Sequence, residues 1–129
     1  GVLVEVNCES DFVARTDDFK TLVKEVAMHI AASSPTYVRV EDIPVEVIEQ
    51  EKDIFRSQLE GSNKPAQVID KILDGKINSY YGQVVLLKQP SIRDPKTTVA
   101  DLVAATIAKV GENISIARFA RFKVGEIDK

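Results

Sequence analysis

Few side chains in this chain could do chemistry of their own. His29 is the single histidine and Cys8 the single cysteine among 129 residues. His29 could act as a general base, but its place beside the apolar face of a helix favours a role at the edge of the core or an interface. Cys8 could act as a nucleophile, yet no second histidine completes a Cys/His pairing, so a small buried residue is favoured. A single cysteine also excludes an internal disulfide and a thiolate-only metal cage.

Two other kinds of site lack the residues that they need. Residues 61–64 (GSNK) do not have the spacing of a glycine-rich phosphate loop. The 20 Asp and Glu residues include no pair isolated in an apolar setting, the arrangement that separates two proton affinities. We therefore expect a protein that is not an enzyme and that uses no metal and no cofactor.

An apolar pair inside a polar connector is the feature that remains. Residues 8–16 (CESDFVART) carry Phe12 and Val13 between a predicted strand and a predicted helix. Asp11 and Arg15 flank the pair and no glycine interrupts it, which indicates a defined loop. Phe12 either folds back into its own core or is held out for a pocket on a partner. The residues alone leave both interpretations open.

The net charge of the chain argues against two classes of binding partner. The net charge of −3 argues against direct nucleic-acid binding and against binding to anionic membranes, where a basic excess is typical. The longest apolar run, residues 84–87, is too short to span a bilayer. Arg118, Arg121 and Lys123 form a basic patch near the end of the chain. A solvated strand face is the favoured interpretation of this patch, and a partner contact is the second.

Hydrophobic periodicity predicts the elements that position these residues. Alternation over residues 2–8 predicts a half-buried strand, and Thr16 caps a helix that ends at residues 33–35. Residues 98–110 predict a helix that begins with a capping box and stops at Gly111. A final strand is predicted with Phe119 on the face opposite to an alternating set: Ile114, Ile116, Ala120, Phe122 and Val124.

The middle of the chain predicts a helical hairpin over residues 44–83. Pro44 suits a helix start, residues 61–65 (GSNKP) turn the chain, and Gly75 is a potential interruption of the return helix. Residues 41–60 hold seven acidic side chains against two basic ones, which favours an arm in solvent over a helix in a core. Because two strands make no lasting sheet alone, a third must come from the middle of the chain or from a second copy.

The connector also carries a family likeness. Residues 4–15 (VEVNCESDFVAR) resemble the signature of the elongation factor Ts family, whose core motif is Thr-Asp-Phe-Val, with Ser10 in place of the threonine. The likeness continues through residues 27–32 (AMHIAA), the hairpin around residues 64–65, and residues 111–126. The exchange of Thr for Ser keeps the hydroxyl, so we expect the shape of the loop to be kept.

The resemblance implies a fold and an assembly. The fold class is α+β, with an antiparallel sheet packed with helices and a protruding coiled-coil hairpin, as in the family's dimerisation domain. This domain takes in residues 1–129, with the arm at about 44–83, and the family's amino-terminal helical domain is absent. Since residues 2–6 start abruptly as a strand-like run, we expect a segment of a longer protein. The compact type of the family implies a homodimer, in a bacterial cytoplasm or a plastid or organelle stroma.

The resemblance also implies a function. The chain is expected to be a guanine nucleotide exchange factor for the GTPase elongation factor Tu, with Asp11 and Phe12 inserted beside the GTPase's magnesium site so that GDP leaves. The alternative is a non-catalytic dimerisation or assembly module of a larger translation-associated or organellar ribosomal protein. The residues expected to bind elongation factor Tu are Ser10, Asp11, Phe12, Val13, His29, Arg118 and Arg121.

Overall fold

The computed structural model describes residues 1–61 and 64–126. Strand β1 spans Val2–Asn7 and is followed by two helices, a single turn α1 over Asp11–Ala14 and the long α2 over Asp17–Ser33. Helices α3 (Val45–Leu59) and α4 (Ala66–Val84) follow, then α5 (Val99–Val110) and strand β2 (Ser115–Arg121). Short 3-10 turns lie at Val40–Asp42 and Leu86–Lys88. Within these residues no helix has the length and apolar composition needed to cross a bilayer.

Helix ends lie where the local sequence chemistry predicts them. Thr16 caps α2 by accepting a hydrogen bond from the Phe19 N–H, and Ser34 ends it in the left-handed region at φ 49°. Helix α5 begins with the predicted capping box, in which Thr98 and Asp101 bond each other's backbone N–H groups. Gly111 ends α5 at φ 73°, a conformation that a side chain disfavours.

The core lies between α2, α5 and one face of the sheet. Helices α2 and α5 pack on each other, and β1 packs on α2. The side chains that fill this core are apolar and come from several elements: Val13, Phe19, Leu22, Val26, Ile30, Val38, Leu86, Val99, Val103, Ile114 and Ile116. The α+β class is therefore confirmed, because helices cover one face of an antiparallel sheet.

The sheet has fewer strands than the sequence predicted. Strands β1 and β2 pair antiparallel as a two-stranded sheet, and no third strand joins them within residues 1–61 and 64–126. Of the two expected sources of a third strand, the middle of the chain is wrong for this part, where Tyr37 makes only an isolated bridge to Val85. A strand from a second copy stays a prediction. Packing against α2 gives the small sheet the support that a lone hairpin lacks.

A β-bulge reverses the predicted faces of β2. Val6 pairs with Ile116 whereas Glu5 pairs with Arg118, so Ala117 is the extra residue. Beyond the bulge, Phe119 lies opposite Val4 and packs against the core. The prediction that Phe119 lies on the face away from Ile114 and Ile116 is therefore wrong. Ala120 pairs with the exposed Leu3, and Phe122 is also exposed. Both residues were predicted on the core face and lie instead on the outer face.

Helices α3 and α4 lie side by side, as the hairpin prediction requires. Lys76 of α4 lies over the Phe55 ring of α3 at 5.5 Å, and Glu51 lies near Tyr80, so the two helices run in opposite directions. Helix α4 continues through Gly75, so the predicted interruption is wrong. Burial, followed by the charges of Tyr37 and Glu51, raises the pKa of the Tyr80 phenol. The coiled coil and the projection of the arm stay predictions, and the predicted turn at 61–65 lies partly outside the described residues.

Candidate partner-binding site

The predicted loop around Phe12 is an ordered helical turn. Ser10 is the N-cap of α1, and its hydroxyl oxygen accepts a hydrogen bond from the Val13 N–H at 3.3 Å. At the other end, the Thr16 hydroxyl donates to the Val13 carbonyl at 2.7 Å. The same threonine caps α2, so one residue joins the end of the turn to the start of the long helix. The connector is therefore rigid enough to hold a side chain in a fixed direction.

Phe12 and Val13 point to opposite environments. The Phe12 side chain is 77% exposed, whereas Val13 is 3% exposed and belongs to the core. A helical turn sends adjacent side chains in different directions, so burying Val13 leaves Phe12 outside. Of the two interpretations that the sequence left open, presentation to solvent is the one found for Phe12. Val13 is an anchor for the turn, and its side chain offers a partner no surface.

Asp11 is also exposed at the outer side of the turn. Its carboxylate lies 3.4 Å from the Arg15 guanidinium, and both side chains are largely in solvent. An exposed pair of this kind contributes about 0–1 kcal/mol to stability. A partner could therefore take the Asp11 carboxylate from Arg15 at little expense in free energy.

His29 lies inside the protein rather than at a surface. It is 1% exposed, and its Nε2 lies 2.8 Å from the Gln89 side-chain oxygen. The Gln89 amide nitrogen donates to the Gln83 carbonyl at 2.8 Å, so the Gln89 oxygen is the acceptor and His29 donates from Nε2. This pair joins α2 to the segment after α4. The His29 side chain is thus buried in this conformation, where a partner does not reach it.

The two arginines of the predicted basic patch lie on different faces. Arg118 is on the outer face of the sheet, 83% exposed, and donates to Glu5 across the strands at 3.1 Å. Arg121 is only 20% exposed and donates to the Ala31 carbonyl at the end of α2. Such a contact satisfies a carbonyl that the helix itself leaves unpaired. The favoured interpretation of the patch as one solvated strand face is therefore wrong.

The Arg118 contact also affects the titration of its partner. Hydrogen bonds from the Asn7 amide and then from Arg118 lower the pKa of the Glu5 carboxyl. Both donors favour the charged carboxylate over the neutral acid. The outer face of the sheet thus carries a defined ion pair beside exposed Leu3.

One residue that the sequence analysis overlooked lies directly behind the turn. The Glu112 carboxylate accepts hydrogen bonds from the Ser10 N–H at 3.0 Å and from the Ser10 hydroxyl at 2.6 Å. A sequence signal for this contact existed, because antiparallel pairing of the two predicted strands would bring residues 8–10 beside residues 112–114. The partner-binding prediction for Ser10 stays a prediction, since its hydroxyl is engaged within the chain.

The described surface thus brings two predicted site residues, Asp11 and Phe12, to one exposed turn. An exposed aromatic side chain on a rigid support is typical of a protein that binds another macromolecule. The class of protein defined here is therefore an α+β domain that displays an aromatic side chain on an ordered turn.

Comparisons with known proteins identify the family of the chain. The family model described as Elongation factor TS matches residues 1–126. Elongation factor Ts of Coprothermobacter proteolyticus is 59% identical over 126 residues, which are 98% of this chain and 64% of that protein. The proteins of the same name from Koribacter versatilis and Heliobacterium modesticaldum are 58% and 52% identical, with 58% and 59% of their lengths covered. The chain belongs to the elongation factor Ts family and spans about 60% of the length of the curated relatives it matches.

Proposed function

We propose that this chain acts in translation elongation as a guanine nucleotide exchange factor for elongation factor Tu. The observation that carries the proposal is a phenylalanine that is 77% exposed on a turn fixed at both ends. A side chain so placed contributes little to its own core and is available to a pocket on a partner. The family match supports the role in elongation, and the exposed turn supports the way in which the role is carried out.

The proposed mechanism needs no bond to be made or broken by the chain. Phe12 enters an apolar pocket of the GTPase beside its magnesium site, and Asp11 leaves Arg15 to contact the adjoining backbone. The displaced GTPase groups then hold Mg²⁺ and the phosphates of GDP less well, so GDP leaves. By thermodynamic linkage, GDP must weaken the complex between the two proteins by the same factor.

Magnitudes show that the turn needs other contacts. A shift of an equilibrium by ~10⁴ requires roughly 5.5 kcal/mol of differential binding, and burial of one Phe supplies about 1.5–3 kcal/mol. With His29 and Arg121 engaged inside the fold, the remaining contacts must come from exposed groups. Arg118 and the arm are the candidates, since Val45 and Ile54 on α3 are exposed.

A homodimer is the second part of the proposal. The outer face of the sheet exposes Leu3, and Phe122 is exposed at its end. Exposed apolar side chains of this size on an uncovered sheet face favour contact with another protein surface. A second copy of the chain would cover this face. Because α2 already supports the sheet, the proposal depends on this face and not on a missing strand.

The decisive experiment measures release of labelled GDP from elongation factor Tu. Substoichiometric amounts of this chain, and of the full-length elongation factor Ts of Coprothermobacter proteolyticus, should each accelerate release, with turnover over many GTPase molecules. The alternative, a non-catalytic assembly module, is not favoured by the family match and predicts binding without acceleration. The relatives named above come from bacteria, which supports a bacterial cytoplasm as the compartment.

A further inference from the structure

We infer that Glu112 is a positioning residue that fixes the direction of the turn carrying Phe12, an inference that rests on the proposed function. Glu112 is half-buried between the end of α5 and the start of β2. Its two carboxylate oxygens accept separate hydrogen bonds from Ser10, one from the N–H and one from the hydroxyl. The pair is 102 positions apart in the sequence, so the contact joins two distant parts of the chain at the base of α1.

The chemistry of the carboxylate sets the orientation of the Ser10 hydroxyl. An ionised carboxylate only accepts hydrogen bonds, so the hydroxyl hydrogen must point toward Glu112. The hydroxyl lone pairs then face the Val13 N–H, which donates to them at 3.3 Å. Hydrogen bonds to a charged acceptor are stronger than those between neutral groups. Glu112 therefore holds Ser10 in the state that caps the turn.

The other contacts that hold the turn from this side are weaker, since the Cys8 thiol, a weak donor, lies 3.1 Å from the Ser10 carbonyl oxygen. The Phe12 side chain is largely in solvent, so its own packing cannot set its direction. The pair between Asp11 and Arg15 is exposed at both ends and is worth little. Val13, whose carbonyl accepts a hydrogen bond from the Thr16 hydroxyl, anchors the turn at its carboxyl-terminal end. The contact between Ser10 and Glu112 supplies the second point.

A neighbouring contact explains why Glu112 reaches Ser10. The Asn113 N–H donates to the Glu9 carboxylate at 2.9 Å, so residues 9–10 and 112–113 exchange hydrogen bonds in both directions. Gly111 reverses the chain just before them in the left-handed region. The segment after α5 is thereby held against the segment before α1, with the Glu112 side chain facing Ser10.

The test compares variants by GDP release from elongation factor Tu over a range of factor concentrations. Glu112→Ala should lower the maximal release rate about tenfold, because a displacement of about 1 Å at a reacting site can reduce a rate by up to ~10²-fold. Glu112→Gln should lose less, since its amide oxygen still accepts one hydrogen bond. In a Ser10→Ala background the backbone N–H of residue 10 still donates to Glu112, so Glu112→Ala should add a further loss that is smaller than its loss in the wild-type chain if Glu112 acts through Ser10.

A stability-matched control separates positioning from folding. Asp101→Ala removes the capping carboxylate at the other end of α5 and should leave the release rate unchanged at equal folded fraction. If Glu112→Ala lowers only the urea midpoint and leaves the maximal release rate unchanged, Glu112 is merely structural and the inference is wrong.

A second readout does not depend on the GTPase. Amide hydrogen exchange at Val13 and Ala14 should become faster in Glu112→Ala and stay at the wild-type rate in Asp101→Ala. Unchanged exchange at both amides would overturn the inference. A wild-type chain that fails to release GDP would instead refute the proposed function, and the amide rates would still decide whether Glu112 fixes the turn.

Discussion

Truncating Phe12 should separate function from stability. The side chain is 77% exposed, so about a quarter of its surface is buried in its own fold. Since complete burial of a Phe is worth about 1.5–3 kcal/mol, Phe12→Ala should lower the free energy of unfolding by well under ~1 kcal/mol. The other three quarters become buried only in the complex, which corresponds to roughly 1–2 kcal/mol. At 1.36 kcal/mol per tenfold, the acceleration of GDP release should fall about 5- to 30-fold.

Truncating Val13, the neighbouring residue, should instead lower stability and leave function intact. Val13 is 3% exposed, and Val13→Ala removes two buried carbon groups, at a cost of about 2 kcal/mol with the cavity included. This variant should unfold at lower urea concentration and, where folded, still present Phe12. Ile92→Ala truncates another partly exposed apolar side chain and should leave the release rate unchanged at equal folded fraction.

The assay pairs urea unfolding with GDP release measured at saturating and limiting factor. Loss of cooperative unfolding in Phe12→Ala would assign the ring to the interior. A Phe12→Ala chain that releases GDP at the wild-type rate would refute the insertion mechanism even with the fold intact.

Three further predictions concern the rest of the chain. The chain should sediment as a dimer at equilibrium, and Leu3→Glu on the outer sheet face should shift it to monomer; a wild-type chain that is monomeric at high concentration contradicts the dimer. His29→Ala leaves the Gln89 side-chain oxygen without its buried donor, so the free energy of unfolding should fall by roughly 1–3 kcal/mol; a lower release rate at equal folded fraction would instead restore His29 as a partner contact. The Glu5 pKa is lowered in the fold, chiefly by the Asn7 amide, so its stabilisation is present above the ordinary Glu value of about 4.3 and is lost as the pH falls through the lowered value. Urea midpoints between pH 7 and 3 should therefore fall less steeply in Glu5→Gln, and an identical slope would show that the contact is without effect.

Local sequence chemistry predicted the helices well because their ends depend on a few adjacent residues. The capping box at Thr98 and the left-handed stop at Gly111 are set by side chains and backbone within one turn. The single helical turn α1, at residues 11–14, was predicted as a loop. Its cap Ser10 is hydrogen-bonded to the distant Glu112, which local sequence does not reveal. Contacts between residues 102 positions apart leave no periodic signal in one sequence.

Whether each residue of the candidate site is buried or exposed also depends on distant residues, which the local sequence does not reveal. The sequence predicted that a rigid connector would carry Phe12, but the choice between core and solvent depended on Val13 filling the space below the turn. His29 lies on the apolar face of α2, and its burial became evident only with Gln89, which is 60 positions away. Periodicity gives the face of a helix, whereas the segment that covers the face must be found in three dimensions.

The bulge at Ala117 determines which side chains of β2 face the core and which face solvent. Strict alternation places Arg118 on the side of Ile116, and Phe119 on the other side. The extra residue changes the parity of β2, so Phe119 joins the core and Arg121 reaches the end of α2. The same change puts Arg118 outside, beside Glu5, where a partner can contact it. Deleting Ala117 should therefore remove the bulge and still leave Phe119 in the core and Arg118 outside, because the remaining residues then alternate regularly opposite Val6, Glu5 and Val4. A deletion variant that no longer unfolds cooperatively in urea would refute this account of the register.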